Sequence, residues 1–365
     1  MNQKHINELI DTALAIEAED AKHAGALGFM ARVLAQVTLP YRAQPDNEFT
    51  RRNGALELTV VSPKSVGLPY GSYPRLLLSW VTTEAVRTRS PVLELGPTLS
   101  AFMAELGLIP SGGKEGTIPR LRNQTERLFS SSISCRYKDE AHTKGAGFNI
   151  ASNYDLWWNP KLPDQLPLWK STVTLGSDFF KEIVERPVPV DIRALKGLKR
   201  SPMALDIYCW LAHRMSYLRK DTVIPWHLLQ LQCGADYTFT RQFKAAFLKQ
   251  LKAVHTIYPA AKIAEVDRGL LLKPSPPHVA TMPEPLRTLE KEWKAPLLPS
   301  PSPEPPAIRL KTTTFEKAKQ AAPGFDVYYL EQEWREWIAK KGERPEHPDA
   351  AFIGFCRRKA QPKTT

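Results

Sequence analysis

The sequence predicts an α+β protein built from two tandem winged-helix domains. A helical arm precedes them, and a Pro-rich linker leads from them to a small helical module. Three observations predict this. Residues 61–176 and 177–279 each pass through amphipathic helices and then end in a pair of strand-like segments. The basic excess is concentrated there: 61–176 carries 13 basic and 9 acidic side chains, and 177–279 carries 16 and 9. Residues 274–306 hold 11 prolines in 33 positions, which no helix or central strand tolerates. The expected divisions are an arm at 1–60, domains at 61–176 and 177–279, a linker at 280–312 and a module at 313–365.

Taken in order, residues 2–36 read as helical, with Ile6, Leu9, Ile10, Ala13 and Leu14 at helical spacing. Pro40 to Ser65 breaks the pattern, and alternation returns only around Leu56 to Val60. Pro74 opens a helix whose Leu77, Trp80, Val81 and Ala85 share one face. Thr98 is a good cap for a second helix running to Gly107, and Ser111-Gly112-Gly113 leads to a third from about Ile118 to Ser130. Strands at Ser131–Tyr137 and Phe148–Ser152, joined by a polar loop, complete the winged-helix order. The second domain repeats it. Ser177 starts a short helix, Pro202 a longer one with Leu205, Tyr208, Ala212 and Met215 aligned, and Pro225 one ending at Gly234. A last helix spans about Thr238 to Val254, and strands at Ala261–Val266 and Gly269–Leu272 meet at Asp267-Arg268. Beyond the linker, Phe315, Trp334, Trp337, Phe352 and Phe355 mark a module too small to be very stable by itself.

The net charge of +12 favours a polyanionic partner, nucleic acid or an anionic membrane surface. Cys135, Cys209, Cys233 and Cys356 lie far apart without His at ligand spacing, which argues against zinc and against a secreted disulfide framework. No signal-peptide or membrane-span pattern occurs, so a soluble cytoplasmic protein is expected.

The sharpest local feature is Ile118 to Phe129. With Ile118, Leu121, Thr125, Leu128 and Phe129 inward, Arg120, Asn123, Gln124 and Arg127 are expected along one outward stripe, with Arg122 beside it. Arg reads a guanine edge bidentately and Asn or Gln an adenine edge, each good pair contributing about 1–3 kcal/mol of discrimination. A solvated polar face is the alternative. On Thr238–Val254, Phe243, Phe247, Leu251 and Val254 face the core, and Arg241, Gln242, Ala245, Lys249 and Lys252 face out, with Lys244 nearby. Lysines suit phosphates, so this helix is expected to grip backbone, with Arg241 and Gln242 as base readers. Arg193, Lys196, Lys199 and Arg200 form a basic cluster suited to phosphate. Lys138 and Lys144 flank the expected tip of the first wing. Trp157-Trp158 reads more readily as core or interface filling than as a base-stacking platform.

No catalytic residues, cofactor site or metal site are predicted. Gly112-Gly113-Lys114-Glu115-Gly116-Thr117 has the wrong spacing for a phosphate-cradling loop and follows no strand. The eight histidines are scattered, and no Gly-x-Ser-x-Gly elbow occurs. Glu84 and Asp206 read as solvated or salt-bridging helix residues.

At Gly67-Leu-Pro-Tyr-Gly-Ser-Tyr-Pro-Arg75, continuing to Arg87, the sequence resembles the plasmid-encoded RepA family of replication initiators. The likeness continues at Leu99 to Gly107, Thr117 to Gln124, Ser130 to Cys135, Asp155 to Trp158 and Ser201 to Tyr208. It returns at Ile224 to Trp226, Gly234 to Tyr237, Tyr258 to Ala261 and Pro274 to Pro277, covering about 61–280 in all. The resemblance implies a protein that binds repeated sites in double-stranded origin DNA and helps melt an adjacent A·T-rich segment. It also implies recruitment of host initiator and replicative helicase, and it admits a homodimer. A winged-helix transcriptional repressor and a DNA-nicking enzyme are the alternatives, the second opposed by the missing metal ligands.

Overall fold

The computed structural model describes residues 3–138, 143–158, 161–165, 170–234, 237–279, 310–323, 327–341 and 345–360. The Pro-rich stretch 280–309 and the loop residues 139–142 lie outside the described residues. These fall into two compact units, one within 1–282 and one within 283–365.

The first unit opens with α1 (Gln3–Ala18), β1 (Leu27–Met30), α2 (Arg32–Gln36), β2 (Glu48–Asn53) and β3 (Leu56–Val61). It continues through α3 (Ser72–Thr88), β4 (Val92–Glu94), α4 (Leu99–Glu105), α5 (Thr117–Phe129), β5 (Ser132–Lys138), β6 (Thr143–Asn149), β7 (Ala151–Asp155) and β8 (Thr172–Leu175). Then come α6 (Ser177–Glu185), β9 (Val188–Asp191), α7 (Ile192–Leu198), α8 (Pro202–Tyr217), β10 (Thr222–Pro225), α9 (Trp226–Cys233), α10 (Thr240–Ile257), β11 (Ile263–Val266) and β12 (Gly269–Leu272). The mixture of helix and sheet is α+β, as expected. Local signals account for several boundaries. The Thr98 side chain accepts from Ala101 N at 3.1 Å, and that of Ser201, just before Pro202, accepts from Ala204 N at 3.2 Å. Gly107, at φ +69°, stops α4 where a left-handed residue is required.

A topological repeat organises this unit. The order helix, strand, helix, helix, strand, strand occurs as α3-β4-α4-α5-β7-β8 and again as α8-β10-α9-α10-β11-β12. The two antiparallel sheets run β4-β8-β7 and β10-β12-β11, so in each the last strand lies between the other two. In both repeats the first helix packs against the third. A single hydrophobic core runs from Leu9 to Leu272 through both.

The repeats differ by one insertion, and it corrects a sequence expectation. Between the third helix and the second strand of the first repeat stands the hairpin β5-β6. The sequence assigned β5 to the first wing, read most of β6 as a polar loop, and placed the partner strand at Phe148–Ser152, across the end of β6 and the start of β7. β5 and β6 belong instead to a separate four-stranded sheet, β2-β3-β5-β6, with Ile133 opposite Val60 and Phe148 in register. The reason is burial: β3 buries Leu58 and Val60 and needs an apolar partner strand, which Ile133 supplies. The strands equivalent to those of the second repeat are β7 and β8, whose long connection leaves no tight-turn signature to read.

The N-terminal region departs from a continuous helix as well. The Asp20 carboxylate accepts from Lys22 N and His23 N, closing a turn that ends α1. β1 then pairs antiparallel with β9, and Gly28 lies so close to Ile192 that a Cβ would come within 2.6 Å of its Cγ1. Residues 1–60 thus supply strands to two sheets besides a helix.

The second unit contains α11 (Thr312–Ala321), α12 (Val327–Lys341) and α13 (Pro348–Ala360). Trp334 and Phe352 are buried together, with ring centroids 5.3 Å apart, over Ala318 and Leu330. The Asp349 carboxylate accepts from Lys311 N and Thr314 Oγ1, fixing the start of α11 against α13. Among the described residues, no helix is long and apolar enough to cross a membrane.

Candidate nucleic-acid interface

Each repeat presents its third helix with one face in the core. On α5 the inward set is the one the spacing predicts: Ile118, Leu121, Thr125, Leu128 and Phe129 are all buried. The outward stripe is rotated by about one residue from the expected one. Arg120, Arg122, Asn123 and Glu126 are exposed, whereas Gln124 is only 4% exposed. The Gln124 Oε1 accepts from Tyr70 N at 2.8 Å, so this side chain holds the helix to the preceding segment and offers nothing to a ligand. Arg127 is half-buried. Its Nε donates to Asn123 Oδ1 at 2.8 Å, one terminal nitrogen donates to Leu68 O at 3.1 Å, and the guanidinium lies over the Tyr70 ring at 5.5 Å. Gly67, at φ +82°, backs directly onto that guanidinium, where a Cβ would come within 2.5 Å of a nitrogen. The Gly67–Tyr70 segment is thus a cradle for α5, and two of its predicted base readers are the rivets. Arg120 donates to Glu115 at 2.8 Å across an exposed pair.

On α10 Phe243, Phe247, Leu251 and Val254 are buried, and Arg241, Gln242, Ala245, Lys249 and Lys252 are exposed, matching the expected faces. The side chains of Arg241, Gln242, Lys249 and Lys252 hydrogen-bond to no described residue. Lys244 is different. It pairs with Glu265 on β11 at 2.6 Å and sits 5.1 Å from the Trp226 ring centroid, tying the helix to its sheet.

The basic cluster before α8 is largely consumed by the fold. Arg193 grips the buried Asp191 carboxylate and donates to Ala15 O and Glu19 O, both at 2.8 Å, so it caps the C-terminal end of α1. Arg200 pairs with Glu8 of α1 at 2.7 Å. Lys199 donates to Gly107 O, and partial burial, with Lys196 and Arg200 nearby, lowers its pKa. Lys196 lays its stem over Gly107. The expected phosphate cluster is therefore a joint among α1, α7 and the α4 terminus. Composition cannot distinguish a basic joint from a basic patch, because the partners are backbone carbonyls distant in sequence.

Lys138 and Lys144 are exposed at the open end of β5-β6, where Tyr137 faces Lys144 and Lys138 faces Thr143. They belong to the inserted hairpin and not to the β4-β8-β7 sheet. Trp158 is buried and stacks on Phe102 at 5.4 Å, as core filling predicts, whereas Trp157 is 47% exposed. Asp206 is not solvated. It forms a bidentate pair with Arg75 at 2.7 Å on both oxygens. Arg75 also donates to Gly71 O, Leu39 O and Pro40 O, so all five guanidinium donors are used in a dry site between α3 and α8. Sequence reasoning gave no role to Arg268, exposed in the two-residue turn between β11 and β12, although a turn position beside a basic helix is a readable signal. Among the described residues, no group of three or more His, Cys, Asp and Glu could hold a metal ion.

Residues 68–227 match the family model described as plasmid encoded RepA protein. The resemblance seen in the sequence therefore holds over that span, which runs from the α5 cradle to the start of α9. The match ends before α10. Solved structures also align. The crystal structure of the RctB domains 2-3 matches with a TM-score of 0.43 at 13% identity, covering 66% of this chain and 96% of that one. That of SeMet derivatives of domain 2 and domain 3 of RctB matches at 0.44 and 12%, covering 67% and 96%. No curated protein matches.

Proposed function

We propose that this chain initiates replication of a plasmid by binding repeated sites in double-stranded origin DNA through two winged-helix domains. One observation carries the reading: the same topology occurs twice, and each time its third helix turns a basic and amide-bearing face to solvent. In a winged helix that element enters the major groove, and the turn between the last two strands reaches the flanking backbone. The likeness to the plasmid-encoded RepA family supports initiation over repression, since local DNA readout is the same for both.

In this reading α10 supplies base contacts through Arg241 and Gln242 and phosphate contacts through Lys249 and Lys252, with Arg268 at the wing tip. α5 contributes Arg120, Arg122 and Asn123, aimed by Gln124 and Arg127. The protein acts in the cytoplasm, performs no bond-making chemistry, and hands locally melted DNA to the host initiator and helicase. A plasmid carrying only this gene and its flanking DNA tests the reading in a permissive host. Replication that is lost with Arg241→Ala, Gln242→Ala supports it. Failure of the intact plasmid to replicate, with specific binding retained, identifies a repressor. Metal-dependent nicking of the supercoiled plasmid identifies a strand-cleaving enzyme.

A further inference from the structure

Among the described residues, Ile109 at 81% exposure and Phe239 at 64% are the two most exposed large apolar side chains. Both lie in the connection between the second and third helices of their repeat, at different distances from the third helix. Phe239 is the residue immediately before α10. Ile109 is bound to the first residue of α5, where Thr117 Oγ1 donates to Ile109 O at 2.6 Å.

Neither is exposed because its backbone is loose. Ser111 N donates to Thr117 Oγ1 and Thr117 N donates to Ser111 Oγ, so the Ile109 loop is laced to the helix start. On the other side Gln230 of α9 donates to Tyr237 O at 2.9 Å and accepts from Thr240 Oγ1, clamping the turn that holds Phe239. A fixed apolar side chain held in water is unfavourable for the isolated chain. Its recurrence in the connection that leads to the third helix of both repeats points to a shared ligand. The neighbours define that ligand's chemistry. Phe239 adjoins Arg241 and Gln242, and Ile109 lies beside the helix that carries Arg120 and Asn123. An apolar group among bidentate donors suits one nucleic-acid feature above others, the thymine 5-methyl on the floor of the major groove.

We propose that Phe239 and Ile109 are specificity-determining residues that contact thymine methyl groups, one set per repeat. This rests on the DNA-binding reading above, and the test separates the two. Duplexes are selected from a random pool by the full chain, and binding is measured on each with thymine and with uracil, which lacks only the methyl. The intact protein is expected to lose about fourfold in affinity for each contacted methyl, the value of one buried carbon group. Phe239→Ser and Ile109→Ser each remove part of that loss and together abolish it, while Phe239→Leu preserves most of it. Helical circular dichroism verifies that the variants fold. Equal binding of thymine and uracil duplexes by the intact protein overturns the proposal and leaves DNA binding standing. So does discrimination that survives the double substitution, a result that would make these residues a protein contact. Selection that returns no bound duplex overturns both readings.

Discussion

The two repeats share a topology but spend their third helices differently. On α5, half of the polar residues that could read bases are turned back into the protein. Gln124 and Arg127 hold Tyr70 and Leu68, and Arg120 leans on Glu115. On α10 Arg241, Gln242, Lys249 and Lys252 hydrogen-bond to no described residue, while Thr240, Lys244 and His255 tie the helix to its surroundings. The segment before α3, which brings Leu68 and Tyr70 to α5, accounts for most of the contrast. β5-β6 also joins the first repeat to strands from the N-terminal region. The second repeat closes its sheet with a two-residue turn, and no such segment engages the outward side chains of its third helix among the described residues. The sequence placed the better base-reading stripe on α5. The polar face with fewer hydrogen-bond partners among the described residues is that of α10.

What the repeats share is the ion pair between their first helices, and breaking it should have the largest effect. Arg75 and Asp206 are 4% and 7% exposed, and each leaves an unpaired charge in the core if its partner is removed. Asp206→Ala is expected to cost about 3–5 kcal/mol, read as a drop in the urea midpoint. Substituting Arg75→Met together with Asp206→Leu should cost less than either single change, because no buried charge is then stranded. If the double variant is the least stable of the three, the pair is holding the repeats together in a way that desolvation does not explain.

The contrast between helices predicts the next effect. Arg241→Ala with Gln242→Ala should lower affinity for the selected duplex about 10- to 100-fold while leaving salt-sensitive nonspecific binding. Arg120→Ala with Asn123→Ala should lower it less, since Arg120 is already paired. A reversal of that order would return the main reading role to α5. A third substitution separates reading from aiming. Gln124→Ala strips the Tyr70 N–H of its acceptor, and a loss of about 1–2 kcal/mol of stability is expected, visible in the melting temperature. Asn123→Ala removes an exposed acceptor of Arg127 and Gln124, so the melting temperature should fall, but by less than for Gln124→Ala.

Much of this was legible because it rests on periodicity. The inward sets of α5 and α10 follow from spacing alone, and Thr98, Ser201 and Pro202 announce their helices. The misreadings have one physical cause: each turned on a partner far away in sequence. Gln124 looks solvent-facing until Tyr70, 54 residues earlier, is placed beside it. Arg193 looks like a phosphate ligand until the end of α1, 174 to 178 residues away, meets it. β5 was visible as a strand, but most of β6 reads as a polar loop, and only β3 reveals which sheet the pair enters. Ile109 and Phe239 carried no periodic signal, and what marks them is exposure.

Acidification should weaken the second repeat through a group for which the first has no counterpart. His213, on α8, has its pKa pulled down to about 4 by partial burial, with Arg32 and Arg214 adding to the effect. In the unfolded chain the same imidazole titrates near its ordinary value of about 6.5. Between those two values the unfolded state binds a proton that the folded state refuses, so stability falls as pH drops through that window and is unaffected above it. His213→Gln removes this dependence. The melting temperatures of the two proteins, compared at pH 7.5 and pH 5.5, should therefore diverge on acidification, with the intact chain losing roughly 2 °C more than the variant. Other titrating groups shift both curves together and cancel in the difference. Parallel curves would mean that His213 is protonated without cost in the folded chain, and the acid sensitivity of the unit would then come from other groups, such as His278, whose pKa burial also lowers, or the carboxylates.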